Sequence, residues 1–229
     1  MDSIFRGDLA SRRGRANAWL DSLLVDHGLL RLGWGNFGTV VPGRLYRSNH
    51  PTPARLAAYA RRYGLRSVVN LRGACGNGSD ALSREAAARL GLQLIDVPLR
   101  SRAAPSREAL LALAETLRRT EVPALVHCKS GADRSGFAAG VYLLVAEEGR
   151  TAAEALAQMS ARFGHLGASG AGILGDVFRL YARQAEGRRP FLDWVREEYD
   201  PAALRPAAAG RRRWSRLAAW LNDQVLARE

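Results

Sequence analysis

His127-Cys128-Lys129-Ser130-Gly131-Ala132-Asp133-Arg134-Ser135-Gly136 is the stretch around which the 229-residue chain is read. Ahead of it, Pro123-Ala124-Leu125-Val126-His127 is short, apolar and opened by proline, the pattern of a buried strand. Behind it, Phe137 to Glu148 is apolar at helical spacing, the pattern of a buried helix. A strand, a short loop and a helix in that order aim backbone N–H groups and a helix N-terminus at one point, which is a ready anion site. A cysteine there is thiolate-rich, because the helix dipole and neighbouring cations favour the charged form. Arg134 can fork two N–H bonds onto a phosphate. Thiolate, cradle and fork together describe a nucleophile facing a bound phosphoryl group. A lone buried cysteine is more often inert packing. Here the strand before, Gly131 within, Ser135 after Arg134 and the helix beyond agree on the nucleophile.

Working outward, strands and helices alternate. Ala16 to Arg31 carries Trp19, Leu20, Leu23, Leu24 and Leu30 at helical spacing. Thr39-Val40-Val41 and Arg44-Leu45-Tyr46-Arg47-Ser48 read as a hairpin around Pro42-Gly43. Thr52 caps a helix that has Pro53 in its first turn and stops at Gly64. Arg66 to Arg72 is a second buried strand, and the glycine-rich run Gly73 to Gly78 is a loop leaving its C-terminal end. Asp80 or Ser83 caps the next helix, to Leu90. Leu92 to Leu99 is a third strand, Arg100 to Pro105 a basic loop, and Ser106 opens a helix to Arg118. Beyond the central motif the chain is helical: Thr151 to Phe163, Ile173 to Gln184, and a short helix over Phe191 to Tyr199. The pattern predicts an α/β fold, with a central, mostly parallel sheet of about four to five strands flanked by helices and a helical C-terminal part. Ligands of such sheets bind beyond the strand C-termini. Arg72, the loop at 100–105 and Cys128 all fall on that edge.

The formal charge of +12 and a pI near 11.0 imply an anionic partner. The positive charge is nearly all arginine, with Lys129 the motif's own lysine. Cys75 and Cys128 alone form neither a disulfide framework nor a zinc set, and point to a reducing compartment. Asp2, Arg6 and Asp8 interrupt any signal-peptide core. The longest apolar run, Phe137 to Ala146, is about half of the ~20 residues that span a bilayer. A cytoplasmic protein without metal or cofactor is the expectation. His27 and His50 support no metal site. No interleaving of aromatic and basic residues points to nucleic acid.

The loop from Cys128 to Arg134 and Ser135, with His127 ahead, resembles the signature of cysteine-dependent protein tyrosine and dual-specificity phosphatases. Leu45-Tyr46-Arg47-Ser48, Pro51 and Pro53, and Val68-Val69-Asn70-Leu71-Arg72-Gly73 are similar to small dual-specificity-like phosphatases of bacteria and their fungal and plant relatives. Gln158 to His165 and Phe191-Leu192-Asp193-Trp194-Val195 look like the bacterial branch. The resemblance covers about residues 20 to 200. With the polar, arginine-rich start and the amphipathic end of the chain set apart, the chain divides into a loose arm (1–15), a phosphatase domain (16–200) and a basic amphipathic C-terminal segment (201–229). The resemblance implies phosphomonoester hydrolysis through a phosphocysteine, with a phosphoprotein or a phosphorylated small molecule or lipid as substrate. The backbone from Lys129 through Ser130, Gly131, Ala132 and Asp133 to Arg134 holds the phosphate oxygens, His127 tunes the thiolate, and Ser135 helps it leave.

A carboxylic acid must protonate the leaving oxygen. In many relatives it lies on the loop after the third strand, but Arg100-Ser101-Arg102-Ala103-Ala104-Pro105 has none. The candidates are Asp133, inside the cradle, and Asp96, on the strand before that loop; Asp133 ranks ahead. Arg72, Arg100 and Arg102 are candidates to steer an anion, Arg47 to brace the hairpin against the motif, and His165 to belong to a helix end. Cys75, on the same sheet edge, is a candidate redox partner for Cys128. Alternatives are a phosphoinositide, lipid-phosphate or inositol polyphosphate phosphatase, a non-catalytic phosphate-binding module, and a membrane-surface protein docking through 205–229.

Overall fold

The computed structural model describes residues 3–26, 28, 33–165 and 172–204. Its centre is a five-stranded sheet in the order β1-β2-β5-β3-β4, with β1 Gly38–Val41, β2 Leu45–Ser48, β3 Ser67–Asn70, β4 Gln93–Asp96 and β5 Ala124–His127. Only β1 is antiparallel; β2, β5, β3 and β4 run parallel. The strand that leads into the motif is therefore the central one, buried along its whole length. That burial explains its unbroken apolar run.

The two-residue period of the strands builds two cores. Leu45, Val69 and Val126 face the larger one, with Leu110, Leu113, Phe137, Val141, Phe178 and Trp194. Tyr46, Val68 and Leu125 face the smaller one, with Leu56, Ala86 and Ala87. The helices that supply the larger core are α4 (Arg107–Arg119), α5 (Asp133–Ala146), α7 (Gly172–Gln184) and α8 (Phe191–Glu197). Those that supply the smaller one are α2 (Pro53–Tyr63) and α3 (Gly78–Arg89). Thr52 caps α2 and Gly64 closes it in the left-handed conformation, as its sequence indicates.

Several boundaries differ from the sequence reading. The first helix is α1, Arg12–Leu20, followed by a π-helical turn over Asp21–Val25. Asn77, not Asp80 or Ser83, caps α3 by accepting the Asp80 N–H at 3.0 Å, so the helix starts inside the glycine-rich run. Gly78 is required there by contact with α1, since a Cβ would lie 2.2 Å from the Ala18 carbonyl oxygen. The arm read as loose is pinned at residues 3–5. Phe5 is buried with Ala18 and Leu82, and buried Asp21 accepts the Ile4 N–H and the Gly78 N–H, each at 2.7 Å. The helix read from Thr151 to Phe163 is α6, Ala152–Ala157, followed by a 3₁₀ turn over Ala161–Phe163. The basic amphipathic segment at 205–229 lies outside the described residues. Among the described residues no helix is long and apolar enough to cross a membrane.

Candidate active site

The parallel strands end in one row. Ser48 pairs with His127, His127 with Asn70, and Asn70 with Asp96. Beyond this row β5 passes into the loop 128–132, and α5 begins at Asp133, so Asp133 and Arg134 occupy the first helical turn.

The loop is a cradle because its carbonyls are pulled outward. The His50 N–H donates to the Lys129 oxygen at 3.2 Å, and Asn36 Nδ2 to the Ser130 oxygen at 2.8 Å. The Arg47 guanidinium donates to the Gly131 and Ala132 oxygens at 2.7 and 3.0 Å. In a trans peptide the carbonyl and the following N–H point in opposite directions. These four outward bonds therefore turn the N–H groups of Ser130, Gly131, Ala132 and Asp133 inward. Gly131 N–H shows the result, lying 3.2 Å from Cys128 Sγ. Gly131 itself has φ +76°, and a Cβ there would come within 2.6 Å of the Asn49 nitrogen. The site needs a residue that has no side chain and tolerates the left-handed region.

Burial pushes the Cys128 thiol up. The Arg134 guanidinium, the Ser135 hydroxyl and N–H, and the Gly131 N–H outweigh it and hold the thiol below its ordinary value. For Arg47, burial, only partly offset by Cys128 and Asp133, brings the guanidinium down to about 10. It remains a cation at neutral pH. His127 is buried behind the cradle, its ring meeting His50 edge to face at 4.9 Å.

Of the carboxylates considered, Asp133 is buried at the cradle and joined to His165 Nδ1 at 2.7 Å. Asp96 is tied down by Asn70 Nδ2 at 2.9 Å and by Arg84 at 2.7 Å. Arg72 forks onto buried Asp26, at 3.0 and 2.8 Å, and Lys129 Nζ lies 3.4 Å from the same carboxylate. A residue from the N-terminal helical segment thus holds two cations beside the cradle. The Cys75 thiol is set against the Arg72 and Gly73 carbonyls at 3.8 and 3.6 Å, and no disulfide joins it to Cys128. Arg134 opens onto a cavity of about 400 Å³ lined by Leu99, Arg100, Ser101, Arg102 and Ala103. Among the described residues no group of three or more His, Cys, Asp or Glu converges as a metal site.

Sequence reasoning brings Cys128, Asp133, Arg134 and Ser135 together and anticipates Arg47 as a brace. It passes over Asn36, Asp26 and the pairing of His165 with Asp133. An asparagine in the glycine-rich stretch Gly35-Asn36-Phe37-Gly38 was the available signal for Asn36, which the structure buries with a positive φ of 46°.

A family profile described as "DSP-PTPase phosphatase fused to NAD+ Kinase" matches residues 42–169. Among solved structures, P. aeruginosa TpbA is similar at 23% identity and a TM-score of 0.48, covering 77% of this chain and 92% of its own. The catalytic core of the PP-IP phosphatase Siw14 from S. cerevisiae is similar at 21% identity and a TM-score of 0.42, covering 82% and 93%. No curated protein matches the chain at a significant level.

Proposed function

This chain belongs to the DSP-PTPase family of phosphatases, and from that premise we propose that it hydrolyses phosphomonoesters through a phosphocysteine, as an enzyme of protein-tyrosine or dual-specificity type. One observation carries this reading: Cys128 lies buried under inward-turned N–H groups, with its thiol held below the ordinary value by Arg134 and Ser135 against the pull of burial.

In the first step Cys128 Sγ attacks phosphorus and the bond to the leaving oxygen breaks. The inward N–H groups and the Arg134 fork hold the three equatorial oxygens, where charge is spread in the transition state. The leaving oxygen takes its proton from Asp133, which becomes a carboxylate. In the second step water attacks phosphorus, the S–P bond breaks, and the water proton passes to Asp133. Ser135, hydrogen-bonded to Sγ, stabilises the departing thiolate. Inorganic phosphate and the starting protonation states result.

The test is hydrolysis of an aryl phosphate by the wild-type chain and by Cys128→Ser, with acid quenching of a radiolabelled substrate. Expected are turnover inhibited by vanadate, a labelled wild-type protein, and loss of both in Cys128→Ser. Phosphate binding without turnover in the wild type would replace the enzyme with a binding module.

A second reading concerns the substrate. The cavity beyond Arg134 is lined by Arg100 and Arg102, with no carboxylate and no aromatic ring among the described residues that line it. That lining favours an inositol polyphosphate or phosphoinositide over a single phosphotyrosine. Side-by-side assay of phosphopeptides and singly and multiply phosphorylated inositols decides between them. Arg100→Ala and Arg102→Ala should raise KM for the multiply phosphorylated substrates alone.

A further inference from the structure

We propose that His165 is the positioning residue of Asp133, holding the carboxyl so that one oxygen faces the leaving group throughout the catalytic cycle. This rests on the assignment of Asp133 as the acid. His165 Nδ1 lies 2.7 Å from Asp133 Oδ1, and both side chains are buried, at 6% and 4% exposure. A contact this short between buried groups is a directed hydrogen bond.

The placement of His165 is tied to that of the cradle. After α6 the chain abandons the helix. The Gln158 carbonyl is taken by Arg47, and the Phe163 carbonyl by Asn36 Nδ2 at 3.0 Å. The Phe163 ring lies under the Arg47 guanidinium at 4.0 Å. Gly164 turns the chain with a φ of +76°, and the His165 N–H closes onto the Ser160 carbonyl at 3.2 Å. Arg47 and Asn36 are also the two side chains that pull cradle carbonyls outward, beside the His50 N–H. The same two side chains therefore set the inward N–H groups and the segment that delivers the imidazole. The acid and the anion site are registered against each other through shared braces.

The chemistry suits a donor at this position. A neutral imidazole with its proton on Nδ1 donates to Oδ1 whether Asp133 is a carboxyl or a carboxylate. The transferable proton is then assigned to Oδ2. When the P–O bond to the leaving group breaks, that proton passes from Oδ2 to the leaving oxygen, and the Nδ1–H bond strengthens on the new carboxylate. When water displaces Sγ from phosphorus, its proton returns to Oδ2. His165 gains and loses no proton over the cycle. Among the described residues, Arg47 from β2 acts electrostatically on Asp133, and Arg162 lies over the Phe163 ring two residues ahead of His165.

The experiment compares His165→Leu, which fills space without a donor, with His165→Asn, whose amide nitrogen falls near the place of Nδ1. Asp133→Asn and the double variant Asp133→Asn/His165→Leu complete the set. The readouts are kcat and KM across aryl phosphates of graded leaving-group pKa, the pH profile, and the pH dependence of Cys128 alkylation.

His165→Leu is expected to lower kcat by about 10²-fold for poor leaving groups, the scale of loss from a misplaced reacting group, with KM little changed. Its leaving-group dependence should approach that of Asp133→Asn, and the basic limb of its profile should weaken. His165→Asn should recover most of the rate, and the double variant should be no slower than Asp133→Asn. Cys128 alkylation should be unchanged in all four. Equal losses in His165→Leu and His165→Asn, or an alkylation profile that moves with the rate, would make His165 a structural brace and overturn the proposal. If Asp133→Asn keeps the basic limb and the wild-type leaving-group dependence, the assignment of the acid fails. If Asp133→Asn loses both and His165→Leu keeps them, the acid stands and only the positioning role falls.

Discussion

Arg134 and Ser135 reach Cys128 from its own motif, and their effect on the thiol opposes the effect of burial. The sign of the pH dependence follows. A group that favours the thiolate lowers the pH at which it forms, so removing that group raises it. Wild-type Cys128 should reach half-maximal alkylation by iodoacetamide below the ordinary thiol value of 9.0. Arg134→Ala should move that midpoint furthest upward and Ser135→Ala less, with the acid limb of kcat/KM moving the same way. An unmoved midpoint in Arg134→Ala would remove the guanidinium from the account of the thiolate. Arg134→Lys keeps the charge without the fork, and should lower kcat by about 10²–10³-fold, the loss from one oxyanion donor. At this scale legibility follows sequence distance. Cys128, Asp133, Arg134 and Ser135 were readable because a single loop brings them together. His165 meets Asp133 across 32 residues, Asn36 meets Ser130 across 94, and Asp26 meets Arg72 across 46. No local pattern marks such a pair, because the fold alone brings its members together.

Elements were legible where one periodicity decided them. The central strand, the hairpin, α2 and the alternation of strand and helix all follow from local apolar spacing and turn residues. The misread boundaries are those where another element intervenes. The alanine-rich stretch after Thr151 has the propensity to continue as a helix, yet α6 stops at Ala157 and Gln158 gives its carbonyl to Arg47. Tertiary contact overrides a propensity worth tenths of a kcal/mol per residue. The start of α3 was hidden in the same way, because Gly78 serves the approach of α1, whereas Gly73 and Gly76 do belong to the loop. The N-terminal helical segment carries a prediction of its own. Asp26 and Arg72 are a buried pair with side-chain exposures of 3% and 1%. Breaking one partner of such a pair leaves the other charge buried, at a cost of about 3–5 kcal/mol. Asp26→Ala should lower the urea midpoint accordingly, with an unchanged slope. Arg72→Met/Asp26→Leu should recover part of the loss, because it removes the stranded Arg72 cation and leaves Lys129 alone to lose the Asp26 carboxylate. If Asp26→Ala unfolds at the wild-type midpoint, the N-terminal segment is not anchored through this pair.

For the molecule as a whole, the net charge of +12 acts before any contact is made. Raising ionic strength from 0.01 to 0.15 M shortens the Debye length from about 30 to about 8 Å. The value of kcat/KM for a phosphorylated substrate should therefore fall with salt while kcat holds, and Arg100→Ala/Arg102→Ala should flatten the slope. A kcat that falls in parallel would locate the salt effect in the chemical step. Charge of this size was plain from composition, but its distribution was not: Arg47 and Arg72 are spent inside the fold, whereas Arg100 and Arg102 line the cavity. The outward pull on the cradle's carbonyls reaches further still. Transplanted into another strand, loop and helix, the ten residues from His127 would take their nucleophile and fork along. Asn36, Arg47 and the His50 N–H would stay behind. The peptides of such a graft would be at liberty to turn their oxygens toward the visiting anion and repel it. The motif is thus heritable only with its host sheet, and an engineer borrowing it must import the Asn36 side-chain amide, the Arg47 guanidinium and the His50 N–H as well.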